Sequence, residues 1–217
     1  MKNFNLLNYE AQANFNKLAL SSNCELAEKY QFLVELQTVC ANVRYALACS
    51  TLIFLKGIWS EFNDFDIVVH PDDCAKMVSI LFEIGFKENE IKNDQSIYKR
   101  IYFGKFSRGS IEVDLVSEWG ILGGGNSVYQ YNYKEKDIDF LQISDELVVP
   151  LLPLEAQFIL YRMLSWHQPE RKVKADFIYL YLASENGGIK HPDVLIKALE
   201  QTLPNMVRAE IEELMLE

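Results

Sequence analysis

The sequence predicts an α+β fold, a mixed β-sheet flanked by helices and followed by a small C-terminal helical domain. Three observations predict it. Between residues 45 and 116, short apolar runs with strand character alternate with segments whose apolar residues recur at helical spacing. After Pro150 and Pro153 only helical patterns follow. The chain has 217 residues, 49% hydrophobic and 24% charged, which is a globular composition long enough for a core domain with a small companion. The boundary falls near 147–152, giving a first domain over 1–149 with N-terminal helices and a second over 150–217.

Each element has its own signal. Ser21, Ser22 and Asn23 precede Glu25 in the manner of a helix start, and Leu26, Tyr30, Leu33, Val34, Leu36 and Cys40 continue at helical intervals to about residue 42. Tyr45 to Cys49 reads as a buried strand, after which Ser50 and Thr51 open a short helix ending near Gly57. Phe65 to His70 has the Val and Ile content of a strand, and Pro71, Asp72 and Asp73 open a helix running to Gly85. Strands are expected at 96–103 and 110–116, joined by a turn containing Gly104 and Gly109. Helical patterns then cover 153–166, 170–184, 191–201 and 204–216.

Composition narrows the function classes. There are 31 acidic against 21 basic residues, a net charge of −10, so gripping a long nucleic-acid backbone is not expected. No segment approaches the roughly 20 apolar residues of a membrane span, and the start lacks a signal-peptide run; a soluble, cytoplasmic protein is expected. Cys24, Cys40, Cys49 and Cys74 lie far apart without C-x-x-C spacing, which suggests neither zinc nor a redox pair. His70, His167 and His191 are scattered, without metal or nucleophile spacing.

The chemistry is concentrated in acidic strands. In Asn63-Asp64-Phe65-Asp66, strand alternation sends Asp64 and Asp66 to one face. In Ile111-Glu112-Val113-Asp114-Leu115, it buries the apolar residues and leaves Glu112 and Asp114 together on the other face. Neighbouring carboxylates repel unless a cation intervenes, so two such strands in one sheet point to a divalent metal, and oxygen ligands suit Mg²⁺. Asp-x-Asp alone also marks solvated strand faces. What distinguishes this one is its context: a strand and a capped short helix before it, a second acidic strand about fifty residues after it.

These residues carry a family resemblance. Leu47-Ala48-Cys49-Ser50, thirteen intervening residues and Asp64-Phe65-Asp66-Ile67 resemble the signature of the polymerase-beta-type nucleotidyltransferase superfamily. Ile111-Glu112-Val113-Asp114-Leu115 resembles the strand that supplies its third carboxylate. Phe54-Leu55-Lys56-Gly57, Ile84-Gly85-Phe86 and Arg171-Lys172-Val173-Lys174-Ala175-Asp176 are similar to the small antibiotic-modifying members, the lincosamide and aminoglycoside nucleotidyltransferases. The likeness covers 44–118 well and the helical tail loosely. Cys49 stands where the signature has glycine, a residue that lets backbone approach phosphate closely.

The resemblance implies a nucleotidyltransferase-like sheet and phosphoryl-type chemistry with two Mg²⁺ ions held by Asp64, Asp66 and Asp114. Asp114 would take the acceptor's proton or lower its pKa through the metal. Ser50 and Thr51 are expected at the nucleotide, ATP being the expected triphosphate. Cations to meet it are Lys56, Arg100 and the group Arg171, Lys172 and Lys174, the last preferred by resemblance. Expected partners are a nucleoside triphosphate and a small-molecule acceptor, in a chain free to form a homodimer. Two other readings share the same residues: a toxin-type enzyme modifying protein or tRNA, and a catalytically weakened nucleotide-binding module. Trp119, Tyr129, Tyr131 and Tyr133 are read as strand packing or as lining an acceptor pocket, and Gly123-Gly124-Gly125 as a turn that follows no clear strand.

Overall fold

The computed structural model describes residues 9–19, 24–90, 97–144, 147–184 and 188–216. It is a mixed α+β structure with an eight-stranded sheet in the order β3-β4-β5-β2-β1-β8-β7, and β6 pairing with β5. The elements are α1 (Tyr9–Ala19), α2 (Cys24–Val39), β1 (Tyr45–Ala48), α3 (Cys49–Leu55), β2 (Phe65–Val69), α4 (Cys74–Glu83), β3 (Lys87–Asn89), β4 (Tyr98–Arg108), β5 (Ile111–Leu122), β6 (Val128–Tyr131), β7 (Asp139–Gln142), β8 (Val148–Leu151), α5 (Leu154–Leu164), α6 (Glu170–Leu182), α7 (Pro192–Leu199) and α8 (Asn205–Leu214). No helix among the described residues is long and apolar enough to cross a membrane.

The chain divides into two compact units. The first comprises Met1–Asp94, Ile101–Ser117 and Tyr133–Leu152; the second comprises Gln95–Arg100, Glu118–Asn132 and Pro153–Glu217.

In the first unit, β1 runs antiparallel to β2 and parallel to β8, while β2 runs parallel to β5. Parallel neighbours need a crossover connection, and α4 lies within the one between β2 and β5. This helix follows a single 3₁₀ turn, Pro71–Asp73, and stops where Gly85 takes φ +91° and Phe86 N–H donates to Leu81 O at 2.9 Å. Asp73 ties this start to β1 by accepting from Arg44 N at 2.9 Å and Arg44 Nε at 2.7 Å. The core is an aromatic cluster in which Phe32 of α2 meets Phe65 (4.9 Å between centroids) and Phe86 (5.2 Å), and Phe62 meets Phe54 (4.9 Å) and Phe65 (5.2 Å). Arg108 holds the end of β4 to α2 through Glu35 (2.6 Å).

The β4–β5 connection differs from the sequence expectation. Gly104 lies inside β4, and the turn is Gly109 and Ser110 alone, with Gly109 at φ +59°. A Cβ at Gly104 would lie 2.7 Å from the Phe106 ring, so this glycine clears space for a neighbouring aromatic and does not bend the chain.

In the second unit, α5 is buried along its whole length. Its Arg162 pairs with Asp176 of α6 (2.6 Å) and Glu210 of α8 (2.8 Å). Its Glu155 accepts from Lys190 N (2.6 Å) and His191 N (2.9 Å) ahead of α7. Here β6 pairs with Trp119–Leu122 of β5, so Gly123 to Gly125 do follow a strand, as a hairpin turn. Trp119, Tyr129 and Tyr131 are buried packing residues.

Candidate active site

Strand β1 runs directly into α3 without a loop, and Cys49 makes that reversal at φ +50°. The left-handed region costs a non-glycine residue on the order of 1–3 kcal/mol. This is the position where the resembled signature carries glycine, so the backbone turn is kept although the side chain is not. Ser50 and Thr51, expected to cap α3, lie inside it and are buried; Ala48 is the capping position and no side chain caps there. The Thr51 hydroxyl donates to the carbonyl oxygen of Asp64 at 3.0 Å, fixing the chain as it enters β2.

Phe65 is fully buried among the aromatic cluster, which turns Asp66 to the opposite face of β2, and Asp64 lies in the bend just before that strand. Asp66 is register-paired with Ala48 on β1 and with Asp114 on β5. Val113 and Leu115 beside Asp114 are fully buried, while Glu112 is exposed. Two carboxylates therefore face one another across adjacent parallel strands, with Asp64 two residues before one of them. Burial pushes the Asp114 carboxyl above its ordinary value; Lys105 pulls it down, and the charges of Asp64 and Glu112 push it further up.

Lys105, which sequence reasoning missed, enters from β4. Its ammonium donates to both Asp114 oxygens, each at 2.7 Å. A hairpin turning at Gly109 and Ser110 sets Lys105 and Asp114 at equal distances from the turn, four residues either side. That signal was present in the sequence, hidden by reading a turn that spanned both Gly104 and Gly109.

The other expected cations are placed differently. Lys56 is buried and its ammonium lies 2.7 Å from Asp139 of β7, so it neutralises an internal carboxylate and is not available to a triphosphate. Arg171, Lys172 and Lys174 lie on α6 of the second unit, where Arg171 stacks over the Tyr161 ring (5.5 Å) and donates to Gln168 (3.1 Å). Arg100, also of that unit, lies 4.8 Å over Tyr98. Tyr133 is buried in the first unit and donates to Tyr45 O at 3.1 Å. A cavity of about 670 Å³ opens beside Arg44, Tyr45 and Tyr133 at the other end of β1, and none of the three aspartates lines it.

Among the described residues, no three His, Cys, Asp or Glu side chains are arranged as they stand to hold a metal ion. Asp114 is turned to an ammonium instead. The donor set is nevertheless carboxylate oxygen from adjacent strands, which Mg²⁺ selects, and the ammonium is a stand-in cation within it. Carboxylate oxygen is the donor type that a hard divalent cation takes.

No protein-family model and no curated protein matches the chain. Solved structures do. One is a protein of Thermotoga maritima assigned as a nucleotidyltransferase, at TM-score 0.55 and 17% identity, covering 68% of this chain and 91% of that one. Another is ANT(2″)-Ia in complex with adenylyl-2″-tobramycin, at TM-score 0.54 and 11% identity, covering 86% of this chain and 98% of that one. The chain has the nucleotidyltransferase fold.

Proposed function

We propose that the chain is a Mg²⁺-dependent nucleotidyltransferase that moves a nucleoside monophosphate from a nucleoside triphosphate, ATP by preference, to a hydroxyl of a small-molecule acceptor. The observation that carries this reading is the register pairing of Asp66 with Asp114, Asp64 alongside, at the β1–α3 reversal of this fold. Asp64, Asp66 and Asp114 would hold the metal, which supplies charge neutralisation at the phosphates and a lowered pKa for the attacking hydroxyl.

The chain's own residues do the rest. Ser50, at the start of α3, meets the phosphates. Thr51 positions Asp64 through its carbonyl. The acceptor oxygen forms a bond to the α-phosphorus as the bond to the bridging oxygen breaks and pyrophosphate leaves. The hydroxyl proton passes to an Asp114 carboxylate oxygen, whose basicity is raised by burial. The net charge of −10 suits a cationic acceptor, such as an aminoglycoside or another hydroxylated amine such as a lincosamide, in a cytoplasmic enzyme. ANT(2″)-Ia, whose structure holds adenylyl-2″-tobramycin, supports that class through its fold.

The test is pyrophosphate release with four nucleotides and a panel of aminoglycosides, lincosamides and other hydroxylated amines. Asp64→Ala should lower the rate a hundredfold or more, at least ~2.7 kcal/mol of transition-state stabilisation. An unchanged rate removes Asp64 from the site. Binding of ATP without turnover on any acceptor would support instead the reading as a nucleotide-binding module, which the strained Cys49 favours.

A further inference from the structure

We propose that Lys105 is a displaceable counter-ion of the acidic site: its ammonium holds Asp114 while no divalent cation is bound, and passes to the triphosphate when one is. The inference rests on the nucleotidyltransferase reading and adds to it a residue and a sequence of events.

The geometry argues for exchange. Among the described residues, one ammonium contacts both oxygens of Asp114, and the charges of Asp64 and Glu112 bear on that same carboxylate. A single positive charge leaves these carboxylates net negative, so a divalent cation with greater charge density competes for the same oxygens. The lysine can leave. Its side chain is 43% exposed where that of Asp114 is 17% exposed, and its Nζ lies 5.6 Å from the Phe103 ring, a weak rest for a flexible four-carbon stem. A lysine built only to stabilise the fold would resemble Lys56, buried against Asp139 with side chains 7% and 10% exposed. An ammonium released here is already beside the metal-binding carboxylates, where the phosphates of a bound nucleotide would need a point charge.

The exchange predicts two effects of opposite sign from one substitution. Calorimetric titration of Mn²⁺ into the full chain without nucleotide should show Lys105→Gln binding the ion about fivefold more tightly than the unaltered chain, because the competing charge is gone. In the pyrophosphate assay, the same variant should need about tenfold more nucleotide to reach half its maximal rate. Lys105→Met replaces it if the glutamine variant does not fold. Unchanged or weaker Mn²⁺ binding in the variant, with a lowered melting temperature, overturns the counter-ion role and makes the pair structural. Asp64→Ala separates the two levels of the argument. If it abolishes Mn²⁺ binding while Lys105→Gln leaves it unchanged, the metal site stands and the exchange falls. If none of the chains binds Mn²⁺, both fall.

Discussion

Two lysine–aspartate pairs in the first unit have the same N···O distance, 2.7 Å, and opposite surroundings. Lys56 and Asp139 join α3's end to β7 with almost no exposure. Lys105 and Asp114 join β4 to β5 with the ammonium side chain 43% exposed, and the charges of Asp64 and Glu112 bear on the same carboxylate. Distance alone does not distinguish the two pairs; their access to water and the neighbouring charge do. The buried pair is closed to solvent, whereas the half-exposed one lies beside the further negative charge of Asp64 and Glu112.

Substitutions can break this comparison, beginning with the buried pair. Asp139→Ala leaves a buried ammonium without its partner and should cost about 3–5 kcal/mol in denaturant unfolding. The double variant Lys56→Met, Asp139→Leu should recover most of that, since apolar packing often substitutes for a buried pair. If the single variant unfolds like the unaltered chain, the contrast is wrong on its structural side. On the open side, Asp66→Asn should lower the rate at least a hundredfold, ~2.7 kcal/mol or more, while the melting temperature holds or rises because one of two facing carboxylates has lost its charge. A clear fall in melting temperature would make Asp66 a structural residue.

Smaller effects sharpen the scaffold around the site. Thr51→Val keeps the shape but leaves the Asp64 carbonyl without this donor, and should cost about 1–3 kcal/mol by thermal unfolding. Cys49→Gly relieves the left-handed backbone while losing a buried thiol, so stability should move by under about 1 kcal/mol; nucleotide KM is the sensitive readout and should fall.

The weakest effect is on pH dependence. Hydrogen bonds from Arg44 hold Asp73 at about 2, below its ordinary 3.8. The stability this adds is present above the ordinary value and is lost as pH falls toward about 2, so an Arg44→Met variant should lose less stability over that range than the unaltered chain.

Sequence alone revealed those features that rest on local periodicity. The alternation around Phe65 and Val113 placed Asp66 and Asp114 on strand faces, whereas Asp64, expected with them, lies in the bend before β2, and apolar spacing gave α5 to α8, whose buried residues include Val194, Leu195 and Ala198 on α7 and Val207, Ile211 and Leu214 on α8. Features set by non-local pairing were hidden. β7 and β8 are four residues each, and Pro150 within β8 discouraged reading a strand there. α1 carries few signals of its own, being held by Asn14, which donates to the carbonyls of Phe54 (2.9 Å) and Trp59 (2.8 Å). Lys56 sits at a helix end, where charge is ordinarily solvated, and its buried pairing with the distant Asp139 is a non-local contact. Gly104 looked like punctuation because its neighbours' aromatic rings are invisible in sequence.

The two-residue turn at Gly109 and Ser110 also limits what insertions and deletions this chain can survive. One residue more or fewer there would shift β4 by a single step and exchange its two faces. The Phe106 ring would then swing among the carboxylates while Lys105 was driven into the apolar layer under α4. Loop length at this corner is therefore bound as tightly to the chemistry as any acidic side chain, and length variation should collect elsewhere on the surface.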